Sequence, residues 1–413
     1  MTPHRELTHF AGFDWAGDHH DCLILDATGR AVAEFRFEHS AAGWRDWKEK
    51  TAPYSRLGVA IETSFGSVVE QLLESGVSVY PVVPTSARRY RERKHPSGTK
   101  TDRHDAWALA DALRTDGHSW RPLGPRDPLV EELRMLCRDE VALIAERTAL
   151  INQARQAARE YYPSVLEAFE DWTARSTWAF IERFPDTAAL LKAGKRAWEK
   201  FLHLHRIHRP ETAARRLAIF EAAGQWNIPA HMVQAKRLYL LTKVKQLRAL
   251  ETQLDEYRQR IAGLFADHPD SGTFGSLPGA GAKLAPRLLS EIGSDRHLFP
   301  EPSGLQCLAG TAPVSYQSGK VHKVRMRRAC NLHLRHALHL FADLSRAQSP
   351  WAAVYYRQHR SRGHSHAQAL RSLAQRWLKI IWRMWQDHTR YDADLHTRNQ
   401  LAHGSWVLEV RTT

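Results

Sequence analysis

Cysteine is scarce in this chain and never closely paired. Cys22, Cys137, Cys307 and Cys330 are the only four among 413 residues, and no CxxC occurs. Such spacing excludes a zinc module or a disulfide framework and points to a reducing cytoplasm. Long apolar runs are missing as well. None approaches the ~18 residues that a membrane span needs, and the N-terminus lacks the charged-then-apolar pattern of a signal peptide. A cytoplasmic protein with no membrane partner is expected. Acidic residues are missing from one part of the chain only. No Asp or Glu lies between Ser318 and Ala342, where Lys320, Lys323, Arg325, Arg327, Arg328 and Arg335 occur. None lies between Leu344 and Gln386 either, where basic residues run from Arg346 to Arg383. The whole chain carries 59 Lys and Arg against 45 Asp and Glu, a net charge of +14. A surplus concentrated at one end favours a nucleic-acid-facing C-terminal part over uniform solubilisation.

The acids that matter most lie at the other end. Asp14 follows the apolar run Phe10-Ala11-Gly12-Phe13 and is expected near the start of a strand. Glu62 closes a second run, Leu57 to Ile61. Asp102 and Asp105 open a helix three residues apart and so share one of its faces. Clustered carboxylates repel one another unless a cation holds them. Hard oxygen ligands suit Mg²⁺, and a Mg²⁺ pair suits phosphoryl transfer. The preceding basic segment (Arg88, Arg89, Arg91, Arg93, Lys94, then Lys100) would let a phosphate approach. Each acid alone also fits a structural role. Thr101 or Asp102 can N-cap the helix running to Leu113, and the carboxylates can serve salt bridges.

Up to about residue 120 the pattern is α/β. Strands at 20–26 and 31–37 join the run ending at Asp14 in a three-strand meander, with the turn Ala27-Thr28-Gly29-Arg30 between them. A helix over 41–50, a strand over 57–62, a helix over 68–73 and a strand over 77–83 follow, the last stopped by Pro84. That order is the one found in RNase H-like folds. Pro122, Pro125 and Pro128 punctuate a linker. Two apolar stripes follow, one through Leu129, Leu133, Leu136, Leu143 and Leu150, the other through Leu240, Val244, Leu247, Leu254 and Ile261. They predict an antiparallel helical hairpin, a coiled coil or two faces of one bundle. Glu140 and Arg147 interrupt the first stripe. Residues 165–230 read as helical and Trp-rich, without legible chemistry. From Leu277 a last, mostly helical domain begins, with a short irregular or strand segment over 311–323.

That last part holds two further motifs. Leu277-Pro278-Gly279-Ala280-Gly281-Ala282-Lys283 resembles the turn of a helix-hairpin-helix element. Gly279 and Gly281 would let backbone N–H groups approach a phosphate, with Lys283 beside them, although an ordinary interhelical turn has the same pattern. Tyr316-Gln317-Ser318-Gly319-Lys320 is first of all a turn, but the basic run through Arg328 could hold a phosphodiester beside Ser318. His19-His20 and His364-Ser365-His366 are read as surface residues, not metal ligands.

Six blocks stand in a telling order. They are Gly12-Phe13-Asp14-Trp15-Ala16, Ile61-Glu62-Thr63-Ser64, Lys100-Thr101-Asp102 with Asp105-Ala106, Leu277-Pro278-Gly279-Ala280-Gly281, Leu308-Ala309-Gly310-Thr311-Ala312-Pro313 and Gln317-Ser318-Gly319-Lys320. In this the chain resembles DEDD transposases of the insertion sequence 110 family, from its first strand to about residue 390. The resemblance implies a RuvC-like (RNase H-like) domain over 1–121 and a helical, coiled-coil region over 122–270. It also implies a transposase domain over 271–392, followed by a tail over 393–413. It places the acidic tetrad, with its Mg²⁺, on Asp14, Glu62, Asp102 and Asp105, and a nucleophile on Ser318. It implies donor and target DNA, a bridge RNA encoded by the element, and a homo-oligomer (dimer or tetramer) that exchanges strands through a phosphoserine link. The alternatives are a junction endonuclease that uses water, and a non-catalytic nucleic-acid-binding protein. Two features depart from the family. Its usual Gly after the basic run is replaced by Arg328-Ala329-Cys330-Asn331, and the stretch between the helical stripes is long.

Overall fold

A computed structural model describes residues 2–94, 101–124, 127–226 and 228–404 of the chain. It forms two compact units, Met1–Arg126 and Asp127–Thr413.

The first unit is a five-stranded mixed sheet with helices. Its strands are β1 (His9–Trp15), β2 (His19–Asp26), β3 (Ala31–Glu38), β4 (Leu57–Ile61) and β5 (Ser78–Pro81), in spatial order β3-β2-β1-β4-β5. The first three make the expected antiparallel meander, and β4 and β5 add in parallel. Helix α1 (Ala41–Thr51) joins β3 to β4, α2 (Ser67–Glu74) joins β4 to β5, and α3 (Pro84–Lys94) and α4 (Asp102–Asp116) follow β5. Asp14 lies near the end of β1, not its start. The apolar run Phe10 to Phe13 is the body of the strand itself, which begins at His9. The expected strand over 77–83 is shorter, ending at Pro81 and not at Pro84; Pro84 instead opens α3, because a proline's missing N–H costs nothing in a first helical turn.

Gly12 sets how closely α4 lies on β1. A Cβ at that position would stand 1.8 Å from the Ala106 carbonyl oxygen and 2.7 Å from the Ala110 nitrogen, both backbone atoms of α4. Backbone cannot step aside as a side chain can. Gly12→Ala is therefore expected to destabilise this unit by at least about 3 kcal/mol. A thermal melt within a degree of wild type would contradict that packing.

The second unit is mostly helical. Its core hairpin is α5 (Pro128–Tyr161) with α10 (Ala230–Asp267); between them come α6 (Pro163–Ala168), α7 (Arg175–Arg183), α8 (Thr187–Leu204, kinked at Gly194) and α9 (Pro210–Ala223). Pro128 opens α5, and the Asp127 carboxylate accepts from the Leu129 N–H at 3.0 Å, so the linker ends in a capped helix start. Cross-pairs Glu132–Arg260, Arg147–Glu251 and Glu160–Lys236 run in opposite directions along α5 and α10, so the hairpin is antiparallel. Its distal half and α6–α9 enclose an aromatic core that includes Tyr162, Trp178, Phe180, Phe184, Trp198 and Phe220.

The proximal half of the hairpin packs into a second core with the C-terminal helices. These elements are α11 (Ser271–Gly275), α12 (Gly281–Ile292), α13 (Pro302–Leu308), the hairpin β6 (Val314–Ser318) and β7 (Val321–Arg325), α14 (Leu332–Gln348), α15 (Pro350–Ser361), α16 (His366–Gln386) and α17 (Ala393–Ala402). Among the described residues, no helix is long and apolar enough to cross a membrane.

The residues that break the first apolar stripe turn out to be ionic locks. Glu140 is 2% exposed and accepts from Arg287 Nη2 of α12 at 2.7 Å, with Arg258 Nε of α10 at 3.5 Å. Glu140→Ala would leave Arg287, itself 8% exposed, without its carboxylate. A loss of about 3–5 kcal/mol is expected, read by urea or thermal unfolding. A loss below about 1 kcal/mol, the range of an exposed pair, would show that the lock is dispensable.

Candidate active site

The sheet order puts the four acids of the N-terminal unit in one place. β1 and β4 are parallel neighbours with Phe13 beside Ile61, so Asp14 and Glu62 emerge side by side at the same end. Helix α4 crosses β1 over Gly12, and its first turn carries Asp102 and Asp105 to that end. Thr101 caps this helix by accepting from the His104 N–H at 3.2 Å. Asp102 is therefore not needed as the cap and can face outward.

The electrostatics of Asp14 record the crowding. Burial, then the neighbouring charges of Asp105, Asp102, Glu62 and Asp21, push its carboxyl up from 3.8 to about 6. Asp21 is a fifth acid that sequence reasoning missed. It lies on β2 directly across from Asp14, and Arg36 of β3 lies across from Asp21. The short β1–β2 turn was the available signal, since it fixes which β2 residue faces Asp14.

Two arginines serve as counter-ions. Arg36 makes a two-pronged contact with Asp21, Nε at 3.0 Å and Nη2 at 2.9 Å, and its Nη2 also reaches Asp102 Oδ2 at 3.0 Å. Arg91 of α3 pairs with the buried Asp105. His19, Asp21 and Asp102 offer ligand atoms within 4.8 Å of one another. His19 is thus part of the acidic neighbourhood, and its Nδ1 lies 2.8 Å from Asp18. The expectation of two surface histidines also fails at His20. It is fully buried against Phe13, Phe37 and Trp44 and is hydrogen-bonded to His39 at 2.9 Å, because its place on β2 turns it into the core. The carboxylates around Asp14 offer negatively charged oxygen donors, with the His19 imidazole beside them, a set that fits a hard divalent cation.

The other predicted residues are spread over both units. Arg88 and Arg89 are exposed on α3, with Arg88 Nε 3.2 Å from Glu92. Lys100 lies outside the described residues. Gly279 adopts φ 85, and a Cβ there would come within 2.9 Å of the Leu344 backbone, so it faces α14. Gly281, at φ 55, faces open space beside exposed Lys283 at the start of α12. Ser318 is the last residue of β6, followed by a two-residue turn in which Gly319 has φ 54. Register pairs Ser318 with Val321, Tyr316 with Lys323 and Val314 with Arg325, so the alternation of the strands puts Lys323 and Arg325 on the face that carries Ser318. Arg325 stacks 4.7 Å over the Tyr316 ring. The whole hairpin is exposed, Lys320 included. Arg327 Nε reaches the Ala312 carbonyl at 3.4 Å, and Arg328 is exposed. At the family's missing glycine, Asn331 caps α14 by accepting from the Leu334 N–H at 3.0 Å and donates to Glu291 at 2.7 Å.

Comparison with known proteins adds the family. Residues 11–163 match the DEDD transposases of IS110, and residues 272–357 match the "Transposase IS116/IS110/IS902 family". Over 94% of this chain and 96% of the other, it is 34% identical to the "Mini-circle putative transposase for IS117" of Streptomyces coelicolor. The chain belongs to the IS110 family of transposases. Two further relatives are the "Insertion element IS110 uncharacterized 43.6 kDa protein" of S. coelicolor and the "Insertion element IS900 uncharacterized 42 kDa protein" of Mycobacterium paratuberculosis. Each is 29% identical, over 95% and 92% of this chain and 98% and 96% of their own lengths. Membership makes this transposase a DNA-processing enzyme of an insertion sequence, and its acidic cluster is a place where a divalent metal could bind.

Proposed function

We propose that this transposase recombines DNA through a phosphoserine intermediate, with Asp14, Glu62, Asp102 and Asp105 as the Mg²⁺-binding tetrad and Ser318 as nucleophile. The convergence of carboxylates on Asp14 carries the reading. Strand order β3-β2-β1-β4-β5 supports an RNase H-like, RuvC-like domain over 1–121. On this reading 122–270 is the coiled-coil region, 271–392 the transposase domain and 393–413 a tail.

Bound Mg²⁺ supplies charge neutralisation and polarisation of the scissile phosphate. The tetrad's part is to hold that charge at the edge of the sheet. Lys323 and Arg325, with Lys320, Arg327 and Arg328 nearby, attract the phosphodiester to the face of the hairpin that carries Ser318. The Ser318 Oγ then forms a bond to phosphorus and gives its proton to solvent. One phosphorus–oxygen bond to the sugar breaks, and the sugar oxygen takes up a proton. Attack by a sugar hydroxyl of the partner strand reverses these steps and frees the serine, so the strands are rejoined without an external energy source. Arg88, Arg89 and Lys100, and the turn at Gly279, Gly281 and Lys283, serve as further backbone contacts. The substrates are donor and target DNA, chosen by a bridge RNA, and the working form is a homo-oligomer.

The test is strand exchange between plasmids carrying donor and target sites, with and without RNA transcribed from the DNA flanking the gene. Joined products are expected only with that RNA and Mg²⁺, and none from Asp102→Ala. RNA-independent cutting of branched DNA, with no joined product, would favour the junction endonuclease instead.

A further inference from the structure

Residues 169–216, which fall in sequence between the two family-matched regions, form a cleft within the second unit that the reaction above does not use. It has a volume of about 260 Å³ and is lined by Arg206, Arg209 and Arg216, with Ser176, Thr177 and Thr212. Two carboxylates, Glu170 and Asp171, also border it. Asp171 is already engaged, since its Oδ1 accepts from the Thr173 N–H at 2.8 Å and from its hydroxyl at 2.6 Å. Glu170 acts on Arg216 through space but does not form an ion pair with it. Among the described residues, Arg206, Arg209 and Arg216 form no salt bridge.

Arg206 and Arg209 are exposed, whereas Arg216 is half-buried. Arg216 stacks 4.4 Å over the Phe169 ring, which fixes its plane, and its Nε is buried without a hydrogen-bond partner. Burying a cationic donor without an acceptor costs free energy that a bound anion would offset. Arg206 holds φ 55, a backbone state that glycine adopts at no cost and other residues adopt with strain. The position therefore keeps a cationic side chain where the backbone alone would favour its absence. The cleft also opens at the starts of α7 and α9, neither of which is capped by a side chain. Their orphan N–H groups and partial positive charge add to the same preference for an anion.

We infer that this cleft binds a backbone phosphate of the nucleic acid on which the protein acts, clamped by Arg206, Arg209 and Arg216. Planar guanidinium forks match phosphate oxygens, and the hydroxyls of Ser176 and Thr212 are neutral donors for the same group, whereas the buried Thr177 hydroxyl already donates to the Asp171 carbonyl at 2.7 Å. The site is independent of base sequence and serves to hold the helical lobe of α6–α9 on its ligand. This rests on the reading that the protein works on nucleic acid, but not on the serine or the metal.

The test uses the full chain carrying Arg206→Gly and Arg209→Gln together, with a labelled RNA hairpin and a labelled DNA duplex of unrelated sequence as probes. Arg206→Gly relieves the strained backbone, so the melting temperature should hold or rise, which separates lost binding from lost fold. Affinity is expected to fall about tenfold or more at about 150 mM salt, and the slope of log K against log salt to shrink by about one to two. A loss confined to the RNA hairpin, or to the duplex, identifies which strand supplies the phosphate. Unchanged affinity and slope for both probes would overturn the inference. So would a variant that binds both normally but changes its oligomeric mass, because the arginines would then face an acidic surface of another copy. Both readouts are independent of strand exchange, so failure here leaves the recombinase reading standing, and the reverse also holds.

Discussion

Asp14→Asn is expected to make the metal-free protein more stable at pH 7.5 while slowing DNA strand cleavage by roughly 10³-fold or more. Both effects have one cause. In the fold the Asp14 carboxyl titrates at about 6, against an ordinary 3.8. The folded state therefore holds this proton more tightly than the unfolded chain does. Between about pH 4 and pH 6 the unfolded state has released it while the folded state still keeps it, so Asp14 lowers stability as pH rises through that window. Above pH 6 the penalty is complete. Asparagine carries no charge and removes it. Because Asp14 is only partly buried, water screens much of the effect, and a gain of about 1 kcal/mol is the appropriate scale. A melting temperature a few degrees higher in EDTA at pH 7.5, with the difference fading towards pH 4, would bear this out. Added Mg²⁺ should reverse the ranking by stabilising the wild type more than the variant. A variant that melts lower than wild type at pH 7.5 in EDTA would mean that the carboxylates do not repel one another as the fold implies.

Such a trade of stability for charge density is the ordinary mark of a working site. Arg36 and Arg91 temper it. They neutralise Asp21, Asp102 and Asp105 from one side, yet Asp14 still titrates high, so the arginines leave the centre of the cluster short of positive charge.

The second large effect is expected at Ser318. The residue ends an exposed strand and carries none of the core, so Ser318→Ala should leave the melting temperature within about a degree of wild type. Strand exchange, by contrast, should fall by about 10⁴-fold or more, the scale seen when a nucleophile is deleted. Nucleic-acid affinity should change little, because Lys323, Arg325 and their neighbours remain. A variant that still joins strands at even a tenth of the wild-type rate would show that the attacking oxygen comes from elsewhere.

How much of this was legible in the sequence differs from residue to residue. The four acids could be placed because each sits at a boundary that local pattern reveals. Asp14 and Glu62 end apolar runs, and Asp102 and Asp105 open a helix marked by Thr101. The two apolar stripes foretold two long packed helices but left hairpin, coiled coil and bundle open, and Glu140 and Arg147 were visible as interruptions. Their reason was not, because Arg287, Arg258 and Glu251 reach them only once α5, α10 and α12 are packed together. Asp21 and Arg36 stayed hidden for a similar reason. Facing Asp14 depends on strand register, which a one-residue change in the β1–β2 turn would reverse. Helix α3 was missed because Pro84 was read as a stop alone. The arginine cleft was beyond reach of pattern, since Arg206, Arg209 and Arg216 meet Thr177 and Phe169 only once α6–α9 are packed round one core. His20 shows the opposite risk, a residue whose polar type suggested the surface while its strand position buried it.

The most direct test is to stop wild-type protein in mid-reaction with donor DNA, RNA transcribed from the DNA flanking the gene and Mg²⁺, digest protein and nucleic acid, and look by mass spectrometry for a peptide carrying a nucleotide. A nucleotide esterified to Ser318 is expected, absent from Ser318→Ala and from Asp102→Ala. DNA that is cut with no protein attached, or an adduct that survives Ser318→Ala, would contradict it.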